Sequence, residues 1–573
     1  MTKPVYSIKI GGMAGQGIKS AGLNFSKIAT RSGYHIYNYI EYPSLIRGGH
    51  NVMQTVFSEE VVTAPYQKVD LLIALNQETI NLHSQEIVAN GGLIYEGEGN
   101  LDISGVDKQV QLFPLPLKKI ASTAGGSEIV INNVALGAAV GLMGGEFNHL
   151  NDLIASALHG KDGSIVQINQ SAAKSGFNYA QQNYLHKFPH LLSPLEIMEK
   201  HFVANGTDAV ALGAIAAGLQ FASIYPMSPT SNILHLLAAN QRQFGFVYKQ
   251  VEDEISAINM AIGASFAGAR SMTTTSGGGF CLMTEGYGLA GQTETPLVII
   301  EGMRGSPGTG LPTWSEQGDL LFVLHAHQGD FPRIVLAAGD VQEAFELTMK
   351  AFNLAEKYQT PVILLLDKNI LDHEQTLTDF PIDQFQVDRG QIISQAEENY
   401  HRYTDTNSGI SPRTLPGLGN HLIANSDEHN SYGFSSELIS DRNEQVNKRL
   451  RKLKTCADED MTAPILIGPK EADITLVSWG SNKGTIVETL KHFPNVNYLH
   501  LTWMNPFPTD EVLGYLNKAH YLLGVECNST AQLASLIREK TGIEILDKFL
   551  KNDGRPIFPE ELSQKINSIL KQS

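Results

Sequence analysis

The chain opens on an apolar-rich stretch, YSIKI at 6–10, is broken by GGMAGQG, and continues into IKSAGLNFSKIATRSG, whose apolar residues recur at helical spacing up to Gly33. This predicts a strand, a tight turn and a helix. A second strand, YHIYNYI, follows at 34–40, and the buried-type runs LLIAL (71–75) and GLIYE (92–96) alternate with helical stretches. That alternation is the rhythm of a parallel sheet flanked by helices. A second block begins at Gly206 with the small-residue helix GTDAVALGAIAAGLQ, and its predicted strands are FASIYP, SMTTTS, PLVIIEG and PVILLLD. From about 380 to 460 the pattern loses its period, as in YTDTNSGISPRTLPGLGNHLIANSDEHNSYG, and then turns basic in KRLRKLKT. An extended connector with ordered patches is expected there. The strands ADITLVSWG, NVNYLHL and YLLGVEC open a last block that ends in a helical tail. The fold class is therefore α/β and multidomain, with three parallel-sheet domains expected at 1–190, 196–375 and 466–573 and a linker at 376–465.

A length of 573 residues suits several domains, and 42% hydrophobic residues supply material for their cores, which excludes disorder as the main state. Lys and Arg total 42 against 59 Asp and Glu, a net charge of −17, so nucleic acid is not an expected partner. No run approaches the ~18–20 apolar residues of a membrane span, and the first residues lack a signal-peptide core; a cytoplasmic enzyme subunit is expected. Cys281, Cys456 and Cys527 lie far apart, so this chain cannot supply the four thiolates of an iron–sulfur cluster.

Candidate chemistry sits at glycine-rich loops. In GGMAGQG, Gly12, Gly15 and Gly17 can present backbone N–H groups to an anion, or can simply make a close strand-to-helix turn. The spacing is neither that of a dinucleotide fingerprint nor that of a phosphate-binding P-loop. Glu41 and Arg47 are weaker polar candidates nearby. In the second block, Glu252, Asp253 and Glu254 precede a small-residue helix, where an acid either caps the helix or serves a site. Downstream come TTTSGGGF, Glu285, and MRGSPGTGLPTWSEQGDL with Arg304 as the cation at its mouth. Two such loops at successive strand ends build a concave site at the carboxyl edge of a parallel sheet. His325 and His327 have a metal-like spacing without a third ligand, so no metal site is expected. Trp479 and Trp503 read as packing residues and Cys527 as a buried strand-end thiol.

Together, YPMSPTS (225–231), VEDEISAINMAIGASFAGAR (251–270), TTTSGGGF (273–280), LMTEGYGLAGQTETP (282–296) and MRGSPGTGLPTWSEQGDL (303–320) resemble the alpha subunit of 2-oxoacid:ferredoxin oxidoreductases. GGMAGQG (11–17) and YPSLIRGGHN (42–51) resemble the gamma domain of the same enzymes, here fused ahead of alpha, and ANSDEHNSYG (424–433) and the last block extend the likeness to nearly the whole chain. Within that family the resemblance is to the 2-oxoglutarate synthase type. The resemblance implies a gamma domain, a pyrimidine-binding domain for thiamine diphosphate and a transketolase C-terminal-like domain. It implies Glu254 as the acid on the cofactor's pyrimidine ring, with Glu252 as its rival. It also implies Tyr225, Pro226, Thr275 and Ser276 at the cofactor, and Ser228, Arg304 and Thr309 at the substrate, with Thr313 a weaker candidate. Gly15, Gly17 and Arg47 are the matching positions for coenzyme A or another anion.

The expected partners are a beta subunit carrying Mg2+ and a [4Fe-4S] cluster, ferredoxin, a 2-oxoacid and coenzyme A, in a dimer of alpha–beta heterodimers. The sequence departs from the family pattern at Gly278 where Pro is usual, Ser306 where Gly is usual and Gly308 where Ser is usual, which bears on substrate choice. A different thiamine enzyme, a regulatory subunit that has lost the chemistry, and a nicotinamide-binding oxidoreductase remain as alternatives.

Overall fold

A computed structural model describes residues 4–43, 48–188, 192–196, 201–418 and 422–571. The chain divides into two compact units, one of residues 1–204, 373–379 and 558–573, the other of residues 205–372 and 380–557.

The first unit is built on an eight-stranded sheet. The strands Gln111–Leu115, Ile87–Glu96, Val69–Ala74 and Val5–Met13 run parallel, as the alternating pattern predicts. The other half is antiparallel: His50–Ser58 lies between Val5–Met13 and His35–Glu41 and opposes both. The sequence pattern did not reveal this strand, because HNVMQTVFS begins polar and immediately follows a glycine-rich loop. On the sheet, the helices Ile131–Leu142 and Gly163–Tyr184 approach until their backbones nearly touch. A Cβ at Gly137 would lie 2.0 Å from the Ala173 carbonyl oxygen, and one at Gly176 would lie 2.0 Å from that of Val134. Only hydrogen side chains fit such a crossing.

The second unit holds two sheets. The larger has seven strands in the order Trp503–Asn505, Ile334–Ala337, Pro361–Asp367, Leu297–Met303, Ser271–Thr275, Phe221–Ile224 and Val247–Gln250. All neighbours run parallel except Trp503–Asn505. The five-stranded sheet contains Ile465–Ile467, Val496–Leu501, Ile474–Trp479, Leu522–Glu526 and Asp547–Leu550. Its strand Val496–Leu501 is followed at once by Trp503–Asn505, which crosses to the edge of the larger sheet. The two sheets therefore share one core, in which Leu297, Ile299, Phe280, Val477 and Leu499 are all buried.

The polar stretch after residue 380 packs against this unit. Tyr403, Arg413 and His429 are buried, and the basic run lies inside the helix Ile439–Glu459 with Lys448, Arg449 and Lys452 facing inward. Among the described residues, no single helix is long and apolar enough to cross a membrane.

Candidate active site

The second unit's larger sheet positions most of the candidate residues at the carboxyl ends of its parallel strands. Three consecutive acids there have three different fates. Glu252 is exposed; Asp253 caps the helix Glu254–Phe266 by accepting a hydrogen bond from the Ser256 amide at 2.7 Å; Glu254 is only 3% exposed. The helix has buried residues at 254, 257, 258, 261, 262 and 265, so its apolar face carries Glu254 in with it. A cap is the ordinary use of an acid before a helix, and Asp253 fills that role, which leaves Glu254 without a structural duty.

The next strand, Ser271–Thr275, ends in Ser276 and three glycines that start the helix Gly277–Gln292. A Cβ at Gly279 would meet Thr275 Oγ1 at 2.2 Å and the Glu254 Oε1 at 2.7 Å, so Glu254 and Thr275 converge on one bare stretch of backbone. The hydroxyls of Thr273, Thr274 and Ser276 are buried without a hydrogen-bond partner. Buried polar atoms of this kind are rare in a finished core and are common where a ligand completes the bonding. A polar heterocycle bearing hydrogen-bonding nitrogens suits this cradle.

Arg304 follows the strand Leu297–Met303 and donates from Nη1 to the Ser228 carbonyl oxygen at 2.9 Å. Among the described residues no carboxylate lies within ion-pairing distance of it. Tyr225 and Ser228 are half-buried, Pro226 and Thr309 are exposed, and Thr313 is buried with its hydroxyl unpartnered. Burial lowers the Arg304 pKa, against the opposing pull of Asp319 and Glu301. The arrangement offers an anion one partly exposed guanidinium beside a buried carboxyl, on the edge of a single sheet.

The loop between Arg304 and Asp319 is fixed by a residue that motif reading passed over. Gln317 donates from Nε2 to the Trp479 carbonyl at 2.9 Å, and its Oε1 accepts from Asn482 Nδ2 at 2.7 Å and from the Cys527 amide at 2.9 Å. Its own amide donates to the Cys527 carbonyl at 2.7 Å. Gln317 is fully buried, so Gln317→Ala would orphan these groups; we expect a cost of about 1–3 kcal/mol, read as a lower unfolding midpoint by calorimetry. No period or motif betrays this residue, because its partners lie about 160 and 210 positions later in the chain.

In the first unit, Gly15 and Gly17 adopt positive φ angles of 93° and 70°, and the turn is tied by the Met13 amide to Gln16 Oε1 and by Asn132 Nδ2 to the Gly17 carbonyl. A cavity of about 790 Å³ opens beside it, lined by Gln16, Asn76, Lys118 and Lys119 among others. Glu41 accepts a hydrogen bond from the Tyr39 hydroxyl, and Arg47 lies outside the described residues.

The remaining candidates are dispersed. His325 and Glu285 are exposed, and the described residues contain no group of three potential metal ligands. Trp479 and Trp503 are fully buried, and burial pushes the Cys527 thiol up to about 12.

Residues 212–448 match the family model described as pyruvate flavodoxin/ferredoxin oxidoreductase, thiamine diphosphate-binding, and residues 7–179 match that of pyruvate ferredoxin/flavodoxin oxidoreductase. A 2-oxoacid:ferredoxin oxidoreductase subunit alpha from a Sulfolobus species is 32% identical over 98% of this chain and 96% of its own length. The chain belongs to this family, as an alpha subunit. The 2-oxoglutarate synthase subunit KorA of Methanothermobacter thermautotrophicus is 32% identical over 66% of this chain and all of its own. Among solved structures, the 2-oxoglutarate:ferredoxin oxidoreductase from Magnetococcus marinus, with 2-oxoglutarate, coenzyme A and succinyl-CoA bound, superposes with a TM-score of 0.92 at 29% identity, over 99% of this chain and 100% of that one. As a 2-oxoacid:ferredoxin oxidoreductase alpha subunit, the chain is part of a thiamine diphosphate-dependent enzyme. Its three sheets, the two of the second unit mostly parallel and the first parallel in one half, accord with the expected α/β fold class.

Proposed function

We propose that this subunit serves the coenzyme A-dependent oxidative decarboxylation of 2-oxoglutarate, giving succinyl-CoA and carbon dioxide and passing two electrons, singly, to ferredoxin. The observation that carries the reading is a buried Glu254 and an Arg304 with no carboxylate in ion-pairing distance among the described residues, both at the carboxyl edge of the larger sheet. Support for 2-oxoglutarate over other 2-oxoacids comes from the Magnetococcus enzyme and the KorA relatives, whose names carry that substrate.

Thiamine diphosphate, when bound, supplies a carbon nucleophile for the keto group and an electron sink for the carboxylate's loss. In this reading Glu254 would hold a pyrimidine ring nitrogen of the cofactor through its carboxyl proton, and the glycines at 277–279 would leave room for the ring. Tyr225, Pro226, Thr275 and Ser276 shape its surroundings. Arg304 pairs with the carboxylate every 2-oxoacid carries, Ser228 and Thr309 add hydrogen bonds, and the loop held by Gln317 keeps Arg304 in place. Gly15, Gly17 and the adjoining cavity, together with Arg47, are assigned to coenzyme A or its phosphates.

A separate beta subunit is assigned the diphosphate site, Mg2+ and the [4Fe-4S] cluster, since the three cysteines here are scattered. The working assembly is a dimer of alpha–beta heterodimers. The test is viologen reduction by the anaerobically co-expressed complex, with coenzyme A and either 2-oxoglutarate, pyruvate or 2-oxoisovalerate. We expect 2-oxoglutarate to be preferred by kcat/KM; a preference for pyruvate or the branched-chain acid would reassign the substrate, and no turnover by a cofactor-loaded complex would point to a subunit that has lost the chemistry.

A further inference from the structure

The loop that follows Arg304 is fastened from outside its own sheet. Three adjacent strands of the five-stranded sheet, Ile474–Trp479, Leu522–Glu526 and Asp547–Leu550, run parallel, so their carboxyl ends share one edge. In an α/β layer that edge is where a ligand ordinarily sits. Here a stretch of the same chain, residues 315–318, lies against it. The Trp479 carbonyl and the Cys527 amide and carbonyl hold Gln317, and Asn528 Nδ2 donates to the Gln317 carbonyl at 3.1 Å. From the helix Gln532–Thr541, Gln532 Nε2 donates to the Gly318 carbonyl at 2.7 Å. After the last strand, the Gly554 carbonyl accepts from the Ser315 amide at 3.0 Å.

Side chains tighten this last contact. The guanidinium carbon of Arg555 lies 3.9 Å from the centroid of the Trp314 ring. Trp479 and Trp503 are fully buried, whereas Trp314 is half-buried with this guanidinium on its face. The approach requires glycine at 554, which has a φ of 84° and whose Cβ, if it had one, would lie 2.8 Å from the Trp314 Cβ. Asp553 shapes the turn: its carboxylate accepts from the Arg555 amide at 2.9 Å and its carbonyl from Arg555 Nη1 at 3.1 Å. Trp314 in turn reaches Arg304 in one step. Its carbonyl accepts from the amide of Gly305, the residue after Arg304, at 3.1 Å, and the Leu311 amide closes the same turn by donating to the Gly305 carbonyl at 2.8 Å.

We propose that Arg555 is a positioning residue for Arg304: clasped over Trp314, it fixes the turn that carries the anchor, and the last block serves the reaction through this clasp. The proposal rests on the reading of Arg304 as the partner of the substrate carboxylate. A planar guanidinium stacked on an indole meets it over a wide flat area, which an ammonium on a flexible stem does not reproduce. Without the clasp the turn keeps its backbone bonds but loses the contact that holds its outer face, so Arg304 spends less time where the carboxylate can meet it. The anchor holds the substrate ahead of the chemical step, so the loss falls on KM rather than kcat.

In the complex co-expressed anaerobically with its beta subunit, Arg555→Ala should raise KM for the preferred 2-oxoacid about fivefold, with kcat within about twofold of the unmodified value. Arg555→Lys keeps a cation over the ring and should recover part of the rise. Since Arg555 acts through Arg304, Arg555→Ala added to Arg304→Met should do no further damage. Arg538→Ala removes an exposed arginine, paired with Glu544, from the same block and should leave KM unchanged. A readout apart from turnover is the indole itself. The difference in acrylamide quenching between the complex and its Trp314→Phe variant isolates Trp314, and Arg555→Ala should make that residue more readily quenched.

The proposal is overturned if an assembled Arg555→Ala complex has the KM of the unmodified one, if Arg538→Ala raises KM equally, or if the losses of Arg304→Met and Arg555→Ala multiply. Where Arg555→Ala does not assemble, Arg555→Gln, which keeps most of the stem without the charge, is judged by the same outcomes. Arg304→Met separates the two readings. If it leaves KM unchanged, the anchor reading fails and the clasp's role with it; if it raises KM while Arg555→Ala does not, only the clasp fails.

Discussion

Replacing Glu254 by alanine should reduce 2-oxoacid-dependent dye reduction by about 100- to 10,000-fold in the assembled complex, the range spanned by loss of a positioned acid–base group. The expectation is sharp because the sequence supplies its own controls. Glu252 stands two residues earlier and is exposed, so Glu252→Ala should leave turnover near that of the unmodified complex. Asp253 caps the helix, so its loss should act on stability first and on activity second. Only Glu254 combines burial with a position against the bare backbone at Gly279. A glutamine at 254 keeps the volume and can still accept a hydrogen bond, but it cannot exchange a proton; it should therefore retain more cofactor than alanine while remaining nearly as slow. Turnover of Glu254→Ala within about tenfold of the unmodified complex would remove Glu254 from the chemistry.

How much of this was legible beforehand depends on how far each contact reaches along the chain. Glu254, Thr275 and Arg304 stand at the ends of predicted strands or starts of predicted helices, and local pattern alone places such residues on one edge of a parallel sheet. The parallel half of the first sheet was legible for the same reason. What sequence could not supply were pairings between distant residues, such as Gln317 with Trp479 and Cys527. The strand His50–Ser58 was hidden because register depends on its neighbours, whose order does not follow the chain. The basic run KRLRKLKT read as part of an extended connector with ordered patches. Arg449 is matched by Glu428 nearby, but the burial of Lys448 and Lys452 is explained by an acid about 150 residues away, Glu294.

That acid makes the second large prediction. Glu294 is completely buried, and its two oxygens lie 2.6 Å from Lys448 Nζ and 2.5 Å from Lys452 Nζ, while Arg402 donates to its backbone carbonyl at 3.0 Å. Lys448 and Lys452 are one helical turn apart, which is why a run that looks merely basic presents two ammonium groups to one carboxylate. Lys448 also donates to the Tyr403 carbonyl and Lys452 to that of Gln359, so the cluster pins the helix Ile439–Glu459 to the body of the unit. The surrounding cations hold Glu294 well below its ordinary range, although burial alone would raise it. Glu294→Ala would strand two buried ammonium groups, at a cost of roughly 3–5 kcal/mol. We expect a clearly lower unfolding midpoint by calorimetry. Because the folded-state carboxyl is depressed, its contribution is complete above the unfolded value of 4.5 and is lost as pH falls toward the folded one, so the deficit of Glu294→Ala should shrink in acid. Replacing Glu294, Lys448 and Lys452 together by leucine and two methionines should recover most of the loss, since an apolar trio has no charge to strand. If Glu294→Ala melted like the unmodified protein, the carboxylate would have no part in holding this helix.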